Sequence, residues 1–318
     1  MKKEEIVKNA KTKIEQFYEK NSQWVVLIWW PTATGKSDLS LQLTDFFDSE
    51  IISSDSRQIF RNMDIGTDKV SVETRKKIPH HLIDIVNPDQ HYTAGQRNSD
   101  AKKIISQIVD QKKIPIVVWW TGLYIDTLYK NFSMPEVSPD YELREKLYAE
   151  EEKNPGSLHE KLAKVDPTEA KNHHPNSIRF IVRALEIFYK TWKPKAESFF
   201  QQPVERPLLM IGLWREKEDA NRRIDTRIDW MLSHGLIEEV QSLLASWYSP
   251  DLQSMQWIGY KETVAYLQNK ISFEELSDQI KTNTHHFAKR QRTRFRRYLH
   301  DSISSPKKDV NYVNYDLS

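Results

Sequence analysis

The sequence predicts an α/β fold in which helices flank a parallel sheet and a helical insertion interrupts it. Three observations lead there. Short apolar runs at 24–28, 50–54, 114–118 and 208–213 alternate with helical patterns, the order expected of parallel strands joined by crossover helices. The first run feeds a lysine-bearing turn and then a helix. From about 134 to 204 the chain becomes highly charged, helical in pattern and punctuated by proline.

The elements follow in order. MKKEEIVKNAKTKIEQF at the N-terminus mixes charge with apolar residues and reads as a surface helix. WVVLI at 24–28 is a short buried strand. The helix after it carries Leu39, Leu43, Phe46 and Phe47 at i, i+4, i+7 and i+8. EIISS at 50–54 is the next strand and ends at Asp55; IPIVV at 114–118 and LLMIGL at 208–213 complete the set. The boundaries expected are a core of 1–133 and 205–318 and an insertion of 134–204, with a helix at 178–189. Helices rich in Arg, Asp and Glu occupy about 216–246, and a last helix runs over about 273–300.

Composition narrows the function classes. Hydrophobic residues make up 38% and charged residues 29%, a globular balance. The absence of cysteine excludes disulfides, thiolate metal sites and a cysteine nucleophile. No apolar run approaches 18 residues, so no membrane span and a cytoplasmic location are expected. Net charge is only +2, yet Phe287 to His300 holds six Arg or Lys and no acid. Such a block suggests one face for a polyanion.

The turn Trp30-Pro31-Thr32-Ala33-Thr34-Gly35-Lys36-Ser37, between a strand and a helix, has the context of a P-loop. The fold class is therefore P-loop NTPase-like, and these eight residues are the candidate diphosphate- or nucleotide-binding segment. Backbone N–H groups at a helix N-terminus wrap phosphate oxygens. Lys36 would neutralise terminal phosphate charge, and the Ser37 hydroxyl would reach Mg²⁺. The strand at 114–118 does not end in the carboxylate that a P-loop ATPase uses for its metal. Asp55, at the end of the second strand, falls on the ligand-binding edge of such a sheet. It is either a general base or the cap of a following helix. On the last helix Phe287, Gln291, Phe295 and Leu299 form an apolar stripe. Arg290, Arg294 and Arg297 lie beside it, and Lys289, Arg292 and Arg296 form another basic row. That helix would offer cations to a phosphate backbone or would be a solvated charged surface. The pairs His80-His81, His173-His174 and His285-His286 lack the spacing of a metal site.

Several blocks, in order over about 24–297, resemble tRNA dimethylallyltransferases (tRNA isopentenyltransferases, the IPP transferase family). They are the loop 31–37, Ile51 to Gln58, Met63-Asp64-Ile65-Gly66-Thr67, Pro79 to Asp84, Thr121-Gly122-Leu123-Tyr124, Arg183-Ala184-Leu185-Glu186, Ile258-Gly259-Tyr260-Lys261-Glu262 and Ala288-Lys289-Arg290-Gln291. The resemblance implies that dimethylallyl diphosphate binds on the P-loop with Mg²⁺. The N6 amino group of the adenosine just 3′ of the anticodon then attacks the allylic carbon. By the same resemblance Asp55 takes the N6 proton and Thr32 orients donor and acceptor. The tRNA anticodon stem-loop is the implied partner of a monomer. Its implied contacts are Asp55, Ser56, Arg57 and Gln58 around the base, then Thr121 and Arg144. Arg179, Phe180, Ile181, Val182 and Arg183 follow in the insertion. The remaining contacts are Gln256, Trp257, Ile258, Gly259, Tyr260 and Lys261, together with Lys289, Arg290, Gln291, Arg292, Thr293, Arg294, Phe295 and Arg296.

The chain departs from that family in one direction. It has Trp30, Trp119, Trp120 and Trp192 where the family has glycine, and Trp247 and Trp257 where the family very often does. With only 8 Gly against 10 Trp in 318 residues, the pattern fits a gene whose UGA codons mean glycine but were translated as tryptophan. Glycine is the expected native residue at these six positions. Two other functions fit parts of the sequence: a P-loop enzyme acting on a free nucleotide, and a non-catalytic RNA-binding descendant. Intact Lys36, Ser37 and Asp55 speak against the second, and the basic last helix against the first.

Overall fold

A computed structural model describes residues 3–21, 23–119, 137–198, 205–304 and 310–317, with the side chains of 119, 198 and 297–304 outside that description. Contacts divide the chain into two units, 1–92 with 100–125 and 205–318, and 93–99 with 126–204. The expected division lay at 134, with 93–99 in the core.

The first unit is built on a six-stranded parallel sheet in the order β3-β2-β4-β1-β5-β6. The strands are β1 (Val25–Trp29), β2 (Ser49–Ser54), β3 (His80–His81), β4 (Ile114–Trp119), β5 (Leu208–Trp214) and β6 (Val310–Asp316). All five residues of β1 are buried. A strand covered on both faces reads as one apolar run rather than an alternation, which is why β1 was legible. β3 and β6 were not anticipated. β3 is two residues long, and β6 mixes Asn, Tyr and Asp with only Val310 and Tyr315 buried.

Parallel strands put all carboxyl ends on one edge. The segment after β1 and Asp55 after β2 therefore sit on that edge, separated by β4. The chain crosses from one side of β1 to the other between β4 and β5, which makes this edge the natural crevice of an open α/β sheet.

Helices α1 (Lys3–Tyr18), α2 (Lys36–Thr44), α3 (Val72–Lys77) and α4 (Ala94–Asp110) come before β4. α1 buries Ile6, Val7, Ala10, Ile14 and Phe17. α2 ends earlier than the periodicity predicted. It stops at Thr44, the chain turns toward β2, and Phe46 is half in solvent. The second unit contains α5 (Tyr141–Lys153), α6 (Ser157–Val165), α7 (Pro167–Asn172), α8 (Ile178–Thr191) and α9 (Lys195–Ser198). Leu147, Leu158, Leu162, Ile181, Val182 and Leu185 form its core. The rest of the first unit adds α10 (Lys217–Ser233), α11 (Leu236–Ala245), α12 (Tyr260–Leu267) and α13 (Phe273–Ser304). Gly235, at φ 104°, separates α10 from α11. No helix among the described residues is long and apolar enough to cross a membrane.

Candidate active site

The loop after β1 carries three positive φ angles, at Trp30 (151°), Ala33 (64°) and Gly35 (94°). Turns of this kind aim successive amides at one point. The Trp30 indole is buried. It stacks on Phe295 of α13, with centroids 6.2 Å apart, and meets Trp29 and Trp214 edge-on at 4.8 and 5.8 Å. Lys36 opens α2 and is only 2% exposed. Its Nζ donates to the Pro31 carbonyl at 2.5 Å, and Thr34 Oγ1 donates to the same carbonyl at 3.0 Å. Burial, and after it the charge of Arg227, push the Lys36 amine down to about 7, against the opposing pull of Asp55 and Asp68.

Beside the loop lies a cavity of about 310 Å³. Thr32 borders it from the loop, Asp55 and Arg57 from the end of β2, Thr67 and Asp68 from a turn, and Arg227 from α10. Asp55 is 7% exposed. Its Oδ1 accepts from the Arg57 amide at 2.8 Å, and its own amide donates to Ser53 Oγ at 3.4 Å. No helix starts there, since α3 begins at Val72, so the capping alternative for Asp55 does not apply. The Arg57 guanidinium lies over the rings of Phe287 (4.9 Å) and Trp257 (5.8 Å), within cation–π range.

α13 closes another side. Phe287, Arg290, Gln291 and Arg294 line the cavity. Ala288, Gln291 and Phe295 are buried, while Lys289, Arg290, Thr293, Arg294 and Arg296 are exposed and Arg292 is half-buried. The side chains of Arg297 and Leu299 lie outside the described residues. Gln291 Oε1 accepts from the Thr32 amide at 3.0 Å. Two further arginines escaped the sequence reading. Arg223 Nε donates to the Ala33 carbonyl at 3.0 Å, and Arg227 pairs with Asp68 at 3.1 Å. Their spacing of four, beside buried Ile224 and Ile228, is the signal that would have marked one side of α10.

Residues 58–298 match the family model described as IPP transferase. The chain belongs to the IPP transferase family. This IPP transferase is 45% identical over 282 residues to the tRNA dimethylallyltransferase of Pelotomaculum thermopropionicum, covering 88% of this chain and 90% of that one. It is 40% identical to the one from Thermotoga maritima, covering 86% and 90%. Among solved structures it resembles a tRNA isopentenylpyrophosphate transferase from Bacillus halodurans, with 35% identity, a TM-score of 0.62, and 93% and 90% of the two chains covered. It also resembles a eukaryotic dimethylallyltransferase captured acting on tRNA, with 30% identity, a TM-score of 0.75, and 92% and 74% covered.

The other anticipated residues of the IPP transferase divide by position. Ser56, Trp257, Ile258 and Gly259 line the cavity, while Gln256 and Lys261 are exposed near it in sequence. Gln58 is buried and donates to the Thr67 and Asp68 carbonyls, both at 3.2 Å. Tyr260 is fully buried and donates to Glu239 at 2.7 Å, so its side chain faces the core and not the cavity. In the second unit Arg179 and Phe180 are exposed, and Phe180 stacks on His173 at 5.1 Å. Ile181 and Val182 are core residues there. Arg144 and Arg183 both pair with Glu186, a fully buried carboxylate, and stay partly exposed. Thr121 lies outside the described residues.

His80, His81 and His285 have partners within the protein. His81 meets Glu50 at 2.7 Å, His80 lies 2.7 Å from the Ile78 carbonyl, and His285 meets Asp225 at 2.8 Å. Among the described residues no three His, Cys, Asp or Glu come together as a metal cage.

Proposed function

We propose that this IPP transferase moves a dimethylallyl group from dimethylallyl diphosphate to N6 of the adenosine immediately 3′ of the anticodon in tRNA, releasing diphosphate. The observation that carries the reading is the cavity that places Thr32 of the phosphate loop and the Asp55 carboxylate on the same walls, beneath a cationic and aromatic rim. N6 forms its bond to the allylic carbon as the carbon–oxygen bond breaks, and the bonding pair leaves on diphosphate. The N6 proton passes to Asp55, and Thr32 orients the two partners. Loop amides and Lys36 take up the charge that develops on the leaving group, with Arg223 and Arg227 alongside. Ser37, half-buried in the first turn of α2, suits a Mg²⁺ ion held by one protein oxygen and the substrate's phosphates. Such an ion would neutralise diphosphate charge. The base must leave its stack to reach Asp55, at a cost of a few kcal/mol. Arg290 and Arg294 offer phosphate contacts that offset it. The reading takes the enzyme as a cytoplasmic monomer.

The same reading assigns glycine to the native protein at Trp30, Trp119, Trp120, Trp192, Trp247 and Trp257. Backbone geometry supports three of these. Trp30 has φ 151°, Trp192 has φ 54° at the C-terminal cap of α8, and Trp247 has φ 64°. Helices end in this conformation on glycine far more than on any bulky residue. Trp192 and Trp247 are 76% and 95% exposed, and apart from one edge contact of Trp192 with Phe188 neither indole is buried by packing. Trp257 has no positive φ and rests on the resemblance alone.

The test is prenyl transfer to an anticodon stem-loop, assayed with the chain as it stands and with W30G. D55A is expected to keep RNA affinity and to lower the single-turnover rate by about 10²–10⁴-fold, the usual share of a general base. A near-normal D55A rate removes Asp55 from its role. Transfer to free nucleotides but not to RNA overturns the substrate.

A further inference from the structure

Glu239 lies on α11, outside every motif singled out in the sequence and outside the cavity lining. Its carboxylate nevertheless gathers four donors. Oε2 accepts from the Asp64 amide at 2.8 Å and the Ile65 amide at 2.7 Å. Oε1 accepts from the Gly66 amide at 3.2 Å and the Tyr260 hydroxyl at 2.7 Å. Three consecutive amides aimed at one anion form a nest, and bonds to an ionised acceptor are the stronger kind. The turn also sits directly on the Tyr260 ring, because a Cβ added at Gly66 would come within 2.6 Å of it.

The far side of the same turn is a wall of the cavity. The Thr67 and Asp68 carbonyls hold Gln58 Nε2. Gln58 Oε1 accepts from Ser53 Oγ at 2.8 Å, and that oxygen in turn accepts from the Asp55 amide. The Asp68 carboxylate holds Arg227. Lys69 is a second tether, 2.7 Å from Asp64 Oδ1 and 2.6 Å from the Phe60 carbonyl. Loss of Glu239 would therefore loosen the turn without releasing it.

We infer that Glu239 is a positioning residue, which sets the acceptor-base wall of the cavity by holding the backbone of 64–66 against Tyr260. This rests on the proposed tRNA reading of the cavity. Burial and the neighbouring Glu239 charge push the Tyr260 phenol well above its usual range, so it remains a donor to the carboxylate.

The experiment compares the unaltered chain with E239Q, Y260F and G66A. It reads amide hydrogen exchange at 64–66, affinity for an anticodon stem-loop RNA, and affinity for dimethylallyl diphosphate. In E239Q an NH₂ group replaces one acceptor oxygen and faces donors. Exchange at 64–66 is expected to rise about tenfold, and RNA affinity to fall about tenfold, the equivalent of roughly 1.4 kcal/mol. Donor affinity should stay within about twofold, because the phosphate loop is untouched. G66A pushes the turn off Tyr260 while keeping the charge and should behave alike, which covers the case of an unfolded E239Q. Y260F keeps all three amide bonds and should leave exchange at 64–66 nearly unchanged. Normal exchange and RNA affinity in folded E239Q or G66A overturn the inference, as does an equal loss of donor affinity. If the unaltered chain does not bind the stem-loop, the proposed function fails instead, and the exchange data still decide the role of Glu239.

Discussion

Gln291 accepts a hydrogen bond from the backbone amide of Thr32, 259 positions earlier in the chain, at 3.0 Å. The contact ties α13, which carries the basic rim, to the loop that would hold the leaving group. Both residues are buried. Truncation to Q291A leaves the Thr32 amide without this partner, at a cost of about 1–3 kcal/mol. Urea unfolding should show that loss as a lower midpoint with an unchanged slope. A stability within a few tenths of a kcal/mol of the parent would mean that another group takes over.

Arg290 and Arg294 face solvent at the mouth of the cavity. The double variant R290Q/R294Q should weaken tRNA binding and flatten its salt dependence. Each lost phosphate contact should reduce the log–log slope by about 0.7–0.9. A salt titration with the parental slope would place the RNA elsewhere.

The low basicity of Lys36 gives the donor step a pH signature. In the free chain the amine loses its proton as pH rises through about 7. A bound diphosphate favours the charged form, so binding above that pH takes up a proton. Affinity for the donor should therefore weaken as pH rises from 7, by at most about tenfold per unit, and level off below 7. K36R stays charged and should show no such trend. Calorimetry at pH 8 in two buffers of different ionisation heat reads the proton directly. Zero uptake there contradicts a role for Lys36 in holding the donor.

Trp192 and Trp247 occupy left-handed backbone positions and are largely in solvent. For an L-residue that conformation costs about 1–2 kcal/mol. W247G should raise stability by about 1 kcal/mol. W192G should gain less, because Trp192 keeps an edge contact with Phe188 at 5.9 Å. Peptide mass spectrometry of the protein from its own source gives the independent answer. Tryptophan masses at 30, 192 and 247 would end the recoding proposal.

The parts of this molecule that could be read from sequence are those governed by local rules. β1 announced itself because a strand buried on both faces has nothing but apolar residues. The loop to Ser37 did so because its Gly-Lys-Ser spacing stands between an apolar strand and a helix. The stripe of Gln291 and Phe295 followed from helical period alone. Helical period could have marked Arg223 and Arg227 on one side of α10, but what they and Glu239 bind could not be found in the same way. Their partners are Ala33, Asp68 and the 64–66 amides, at separations of 159 to 190 positions, and no periodicity encodes such pairings. Arg144 and Arg183 were named as tRNA contacts from the resemblance, which carries no sign of the buried Glu186 that both of them pair with.

The strand order also sets a timetable for synthesis. β1 is finished at Trp29, yet its two sheet neighbours begin only at Ile114 and Leu208. From Trp29 to Leu208 is 179 positions, which a ribosome moving at about 5–20 residues per second covers in roughly 9–36 s. During that interval the most apolar strand of the sheet has at least one unpaired edge, and edges of that kind invite association with other chains. The nascent chain thus spends the longest wait with the segment on which its phosphate loop is built, and that segment is where chaperone contact has the most to protect.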